Sequence, residues 1–233
     1  MIERVAAAAR AAGRRADSIR IVAVTKSVGP ELAHALVSLG SRELGENRVS
    51  ELERKASWFS ARDSRPRWHF IGHIQRNKVR RAVKLAQEIH SVDSVRLLED
   101  LARIAREERR LPGIYLQVKL SEEPTKTGVS SAEFPELFAR ARESPLALLG
   151  LMTLAPPIAS ETGRLVAHEV FRELARLASS LPSEAFLGGR PRLSMGMSGD
   201  FEEAIAEGAD VVRIGSAFFE GIETGAAARE GAR

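Results

Sequence analysis

Along the chain, short apolar runs alternate with stretches whose apolar residues recur every three or four positions, and Gly, Pro, Ser or Asp mark the joints. The apolar runs begin near Ile19, Arg42, Trp68, Glu88, Gly113, Ala147, Pro191 and Asp210, and they predict eight strands. Helical periods lie between them at about 30–40, 47–60, 75–86, 94–110, 131–143, 161–180 and 200–207. A further helix precedes the first strand, and a short one follows Ser216. The run from Ile19 to Val24 is apolar on both alternating faces, the pattern of a strand buried on two sides in a parallel sheet. Eight β/α alternations in 233 residues predict an α/β fold, a single (β/α)8 TIM barrel with an extra N-terminal helix. The barrel should span residues 1–221, with the Ala-, Gly- and charge-rich residues 222–233 as a flexible tail. An open doubly wound sheet is the alternative, and it is weakened by the lack of a glycine-rich dinucleotide fingerprint after the first strand.

In a barrel every residue just past a strand belongs to one face, where α/β proteins carry their chemistry. That row holds Lys26, Gly45-Glu46-Asn47, Gly72-His73-Ile74-Gln75, Ser91, Ser121 with Lys126, Met152-Thr153, Ser194-Met195-Gly196-Met197-Ser198 and Arg213-Ile214-Gly215-Ser216. Lys26 continues the Val22/Val24 row, where a strand-end lysine either snorkels to water or acts as an amine nucleophile. The two Gly/Ser loops after the last strands offer free backbone N–H groups and helix starts, which suit a phosphate; read singly, Asp200 and Glu203 also have capping-box spacing. Arg213 interrupts an apolar strand on the face of Val211 and Gly215, so its guanidinium must meet a carboxylate or donate to a bound group such as a ring nitrogen. Lysine, phosphate cup and inward arginine together suit pyridoxal 5′-phosphate, whose aldehyde forms a Schiff base with a lysine amine made available by desolvation.

Composition narrows the partners. An apolar share of 44% supports a sizeable core, and no stretch has the roughly 18 apolar residues of a membrane span. The absence of cysteine removes thiolate zinc sites and Cys nucleophiles. A net charge of +4 comes mostly from arginines scattered among glutamates; the one dense basic stretch, Arg76 to Lys84, lacks interleaved aromatics and reads as a solvated face, not a nucleic-acid site. His69 and His73 have i, i+4 spacing, but Gly72 breaks the helix a metal pair would need, and no metal is expected. His90 reads as a strand histidine with a local hydrogen bond.

The runs Val22-Ala23-Val24-Thr25-Lys26, Gly45-Glu46-Asn47, Trp68 to Lys78, Gly150-Leu151-Met152-Thr153, Leu193 to Phe201 and Val212 to Ser216 resemble the pyridoxal phosphate homeostasis protein family, relatives of the alanine racemase N-terminal barrel. The resemblance covers about residues 2–221. It implies Lys26 as the aldimine lysine, Ser198, Gly215 and Ser216 at the phosphate, Arg213 near the pyridine nitrogen, and Asn47 and Met195 along the ring. The chain departs from the family's pattern at Ser27-Val28-Gly29-Pro30, where a second lysine is usual, and at Ser121 to Lys126. Residues and resemblance together predict a cytoplasmic carrier of vitamin B6 as pyridoxal phosphate without a dedicated reaction, with apo-enzymes as recipients, no nucleic acid or membrane, and a monomer or weak dimer. A small amino-acid racemase and a Schiff-base lysine aldolase are the alternatives. The sole tyrosine, Tyr115, lies inside a strand, which disfavours the racemase.

Overall fold

The structure is a computed structural model, and it describes residues 1–121 and 127–221. Eight parallel strands close into one barrel in chain order: β1 (Arg20–Val24), β2 (Glu43–Glu46), β3 (Arg67–Phe70), β4 (Glu88–Val92), β5 (Gly113–Gln117), β6 (Ala147–Met152), β7 (Arg192–Ser194) and β8 (Val211–Ile214). Closure is made by β1 against β8, with Arg20 opposite Val211 and Ala23 opposite Ile214. The barrel reading therefore holds and the open sheet does not.

Helices α1 (Ile2–Ala11), α2 (Pro30–Ser38), α3 (Val49–Ser60), α4 (Val79–Leu85), α5 (Val95–Glu108), α6 (Phe134–Glu143), α7 (Glu161–Ser179) and α8 (Phe201–Ala206) surround the sheet. Their apolar rows fill the layer between helices and barrel; α5, for example, buries Leu97, Leu98, Leu101 and Ala105, and the Ser94 hydroxyl caps it by accepting from Leu97 N–H. The extra helix α1 buries Val5 and Ala9 and packs on α8.

Three element ends differ from the sequence reading. The first turn expected at 75–78 is a tight 3₁₀ turn, Arg76–Lys78, so α4 starts only at Val79. The segment after Ser216 is one 3₁₀ turn, Ser216–Phe218, and α8 is six residues long. The basic stretch is ion-paired to neighbouring helices: Arg76 to Asp100, Arg81 to Glu53, and Arg80 to Glu107 and Glu108. Among the described residues, no helix is long and apolar enough to cross a membrane. The tail 222–233 and Lys126 lie outside the described residues.

Strand alternation divides the side chains into two sets. Val22, Tyr115, Leu149, Met152 and Val211 form a small apolar cluster inside the barrel, and the large core lies outside it beneath the helices. Polar side chains also point inward, among them His69, His90, Gln117, Ser194 and Arg213, and they determine what the barrel mouth can do.

Candidate functional site

A cavity of about 530 Å³ opens at the carboxyl ends of the strands. The inward row of β1 delivers Val24 and then Lys26 to its wall, as the alternation predicts. Thr25, one position between them, faces the other way, and two side chains grip it there. Its hydroxyl donates to Glu46 Oε1 at 2.6 Å, while Lys55 Nζ donates to the Thr25 carbonyl and to Glu46 Oε1, both at 2.5 Å. Glu46 and Lys55 are fully buried. The backbone below Lys26 is thus tied from behind, whereas the Lys26 side chain is exposed. The desolvation expected of this lysine is not supplied by the protein walls, because the strand stops at Val24 and the chain turns outward at the mouth.

Two loops bring backbone amides together across the cavity. Ser198 Oγ accepts from Gly215 N–H at 3.2 Å and from Ala217 N–H at 3.5 Å, so a hydroxyl oxygen already sits where these donors converge. Ser198, Gly215 and Ser216 all line the cavity. The β7 loop owes its shape to Gly196 at φ +92°, where a Cβ would also meet Ala204 Cβ at 2.6 Å, and to Asp200 Oδ1, which accepts from Met197 N–H at 2.5 Å. The capping box is not formed: Glu203 pairs with Arg164 at 2.7 Å. With a six-residue α8 and one 3₁₀ turn behind it in place of two helix starts, the cup consists chiefly of converging amides and hydroxyls.

Arg213 lies between cup and barrel interior, 3% exposed, and lines the cavity from below. Its Nη1 donates to Ser194 Oγ at 2.7 Å and its Nη2 to the Thr153 carbonyl at 2.9 Å. Neither partner is a carboxylate. Burial pulls the guanidinium down to about 10, against the favourable charge of Asp200, so it is cationic at neutral pH. Asn47 completes the wall beside β3; Gly72 makes room for it, since a Cβ there would lie 2.2 Å from the Asn47 carbonyl oxygen.

Met195 differs from expectation. Ser194 faces the interior, so the next residue faces outward, and Met195 is buried in the core beneath the helices while Met197 lines the cavity. His69 and His73 part company at the end of β3: His69 is sealed inside the barrel, and His73 is exposed at the mouth with Nδ1 3.3 Å from Asp93 Oδ2. His69 instead meets His90 and Glu88, whose ligand-type atoms all lie within 4.8 Å of one another. That cluster closes on itself through hydrogen bonds beside Arg20 and Arg67, surroundings that disfavour an added cation. Tyr115 is also sealed inside, stacked on His90 with its hydroxyl donating to Glu88 Oε2 at 3.3 Å; burial first, then the Glu88 charge, raises its pKa. Ser121 borders a different cavity.

Gln117 and Thr127, in the wall and hydrogen-bonded to each other at 2.9 Å, escaped the sequence reading, as did Lys55. Lys55 had a visible signal, because it continues the buried row Val49, Leu52, Phe59 of α3 at helical spacing. An exposed amine on a fixed stem, a cationic donor at the cavity floor and an amide cup on one wall can hold a flat molecule bearing an aldehyde, a ring acceptor and an anionic arm.

The family model for the alanine racemase N-terminal domain matches residues 2–222. A pyridoxal phosphate homeostasis protein of Aquifex aeolicus is 35% identical over 220 residues, 94% of each chain. One from Synechocystis is 37% identical over 203 residues, 87% of this chain and 91% of its own. The solved structure of PipY from Synechococcus elongatus PCC7942 with PLP bound superposes with a TM-score of 0.80 at 32% identity, covering 94% of this chain and all of that one.

Proposed function

Because the chain belongs to the alanine racemase N-terminal domain family, among the pyridoxal phosphate homeostasis proteins, we propose that it binds pyridoxal 5′-phosphate in the mouth cavity and serves the cell's handling of that cofactor. The observation that carries this reading is the convergence of Lys26, Asn47, Arg213 and the Ser198/Gly215/Ser216 cup on one cavity. Lys26 Nζ is the amine for the aldehyde, the cup takes the phosphate, and Arg213 faces the ring nitrogen. The Ser198 oxygen at the converging amides supports the fit, since those donors already select an oxygen acceptor.

Carriage without a dedicated reaction is the reading favoured by the tyrosine and the arginine. A racemase needs an acid/base at the mouth, and Tyr115 is sealed in the barrel with a raised pKa. A cation at the ring nitrogen opposes its protonation and weakens the cofactor as an electron sink. Release to apo-enzymes in the cytoplasm then needs only imine exchange at an exposed lysine. Borohydride reduction of the loaded protein followed by peptide mapping is expected to place the adduct on Lys26. An adduct on Lys78 or Lys126, or none, would remove the assignment.

A further inference from the structure

Arg213 can only donate, so the groups it touches must accept, and beneath it the proton order is set together with the carboxylate at the far end. Its Nη1 uses Ser194 Oγ as acceptor at 2.7 Å, so the Ser194 hydrogen must go elsewhere, and His90 Nδ1 lies 2.8 Å from the same oxygen. His90 Nε2 is 2.9 Å from His69 Nδ1, and His69 Nε2 is 2.5 Å from Glu43 Oε2. The line runs from the mouth cavity through the closed barrel to Glu43, which borders a second cavity of about 660 Å³ with Arg20 and Arg67.

The proton positions follow from either end. From the mouth, Ser194 donates to His90 Nδ1, which is therefore bare, and a neutral His90 carries its hydrogen on Nε2. From the base, the Glu43 carboxylate requires an N–H on His69 Nε2, and in the neutral ring this leaves His69 Nδ1 as the acceptor that His90 Nε2–H needs. Both routes give the same pair of tautomers. Neutrality of His90 is enforced by burial first, and the Arg213 and Arg20 charges add to it. Glu43 resists the cost of its burial through the His69 hydrogen bond and the charges of Arg20 and Arg67, and it stays ionised. The other charged neighbour, Glu88, is 3.6 Å from His69 Nδ1 and 3.9 Å from His90 Nε2. It is already held by Arg20 at 2.7 Å and Arg67 at 3.2 Å, and takes the Tyr115 hydroxyl.

We propose that Ser194, His90 and His69 are positioning residues: a one-directional hydrogen-bond chain anchored on Glu43 sets the Arg213 guanidinium so that its remaining N–H groups meet the ring nitrogen of the cofactor. This rests on the cofactor reading above and adds residues that never touch the ligand. Without the chain, Ser194 is free to rotate and Arg213 keeps only the Thr153 carbonyl.

The test compares pyridoxal 5′-phosphate with its deaza analogue, in which the ring nitrogen is replaced by C–H, by absorbance titration of the full chain. The unsubstituted protein is expected to prefer the nitrogen-bearing ligand by about tenfold or more, as a charge-assisted hydrogen bond implies. Ser194→Ala and His90→Phe, the latter keeping a ring against Tyr115, should each erase about tenfold of that preference and leave the analogue's Kd unchanged. The double variant should lose no more than either single one, because both cut one chain. Equal loss for both ligands would reduce these residues to packing, and additive losses would break the chain; either overturns the proposal. A wild-type chain that binds both ligands equally would instead remove Arg213 from the nitrogen, and so the reading beneath the proposal. Independently of ligand and variants, NMR of histidine-¹⁵N-labelled protein should show Nε2–H tautomers for His69 and His90. A hydrogen on His90 Nδ1 would overturn the chain even if both variants failed to fold.

Discussion

Ser198 shows how much a single hydroxyl can be asked to do in this cup. Its oxygen accepts from the converging amides, and in the proposed binding mode the phosphate competes for the same donors. Ser198→Ala is expected to weaken phosphate-form binding about tenfold to a hundredfold, the value of about 1 to 3 kcal/mol for one lost partner, and to leave pyridoxal nearly unaffected. Titration with both vitamers checks it. Lys55 is the opposite case, a buried charge remote from the ligand. Lys55→Ala strands the Glu46 carboxylate, whose Oε2 already lacks a partner, and should cost about 3 to 5 kcal/mol in urea unfolding. Lys55→Met combined with Glu46→Leu should recover most of that loss. Lys26 and Arg213 were legible because each breaks an apolar strand pattern with a charge. The place of Met195 is not legible from its motif, because successive side chains past β7 turn to opposite faces and carry it into the core beneath the helices.

At the scale of elements, the strands were read well and the helix starts less so, for a physical reason. Two-sided burial makes a parallel strand apolar throughout, whereas a first helical turn is decided by local hydrogen bonds that composition does not display. Hence α4 begins later than its basic residues suggest, and the turn after β8 is 3₁₀. The β3 end shows what such junctions control. Gly72 lies against the Asn47 backbone, and Ser91 Oγ donates to the Gly72 carbonyl at 2.5 Å, so two βα junctions are locked to each other. Gly72→Ala must push Asn47 away by more than an ångström. We expect about a tenfold loss of cofactor affinity, the value of one displaced polar contact, with the barrel still folded by circular dichroism. An unchanged Kd would show that Asn47 is a wall and not a contact.

For the molecule as a whole, the barrel count followed from rhythm and length, while the polar interior could not be foreseen from one-dimensional pattern: His69 comes from β3, Glu88 and His90 from β4 and Arg213 from β8, and they meet only on closure. This interior shapes the response to acid. His90 is held well below its ordinary value of 6.5, so the unfolded chain takes up a proton that the folded chain refuses, and stability falls as pH drops through that value. Each pH unit below it costs about 1.4 kcal/mol for one such group. Glu43 and Glu207, held below 4.5, add their loss only at lower pH. Urea midpoints should therefore begin to fall near pH 6.5 and not near 4.5, and His90→Phe should flatten the slope between pH 7 and 5. The sealed column has one more consequence. Imidazole N–H hydrogens normally trade with water too fast to follow, but those of His69 and His90 are enclosed by eight strands with no edge to open. Their exchange with deuterium should require opening of the whole barrel, so two side-chain resonances would report the slowest unfolding event of the protein, on the timescale of its most protected amides.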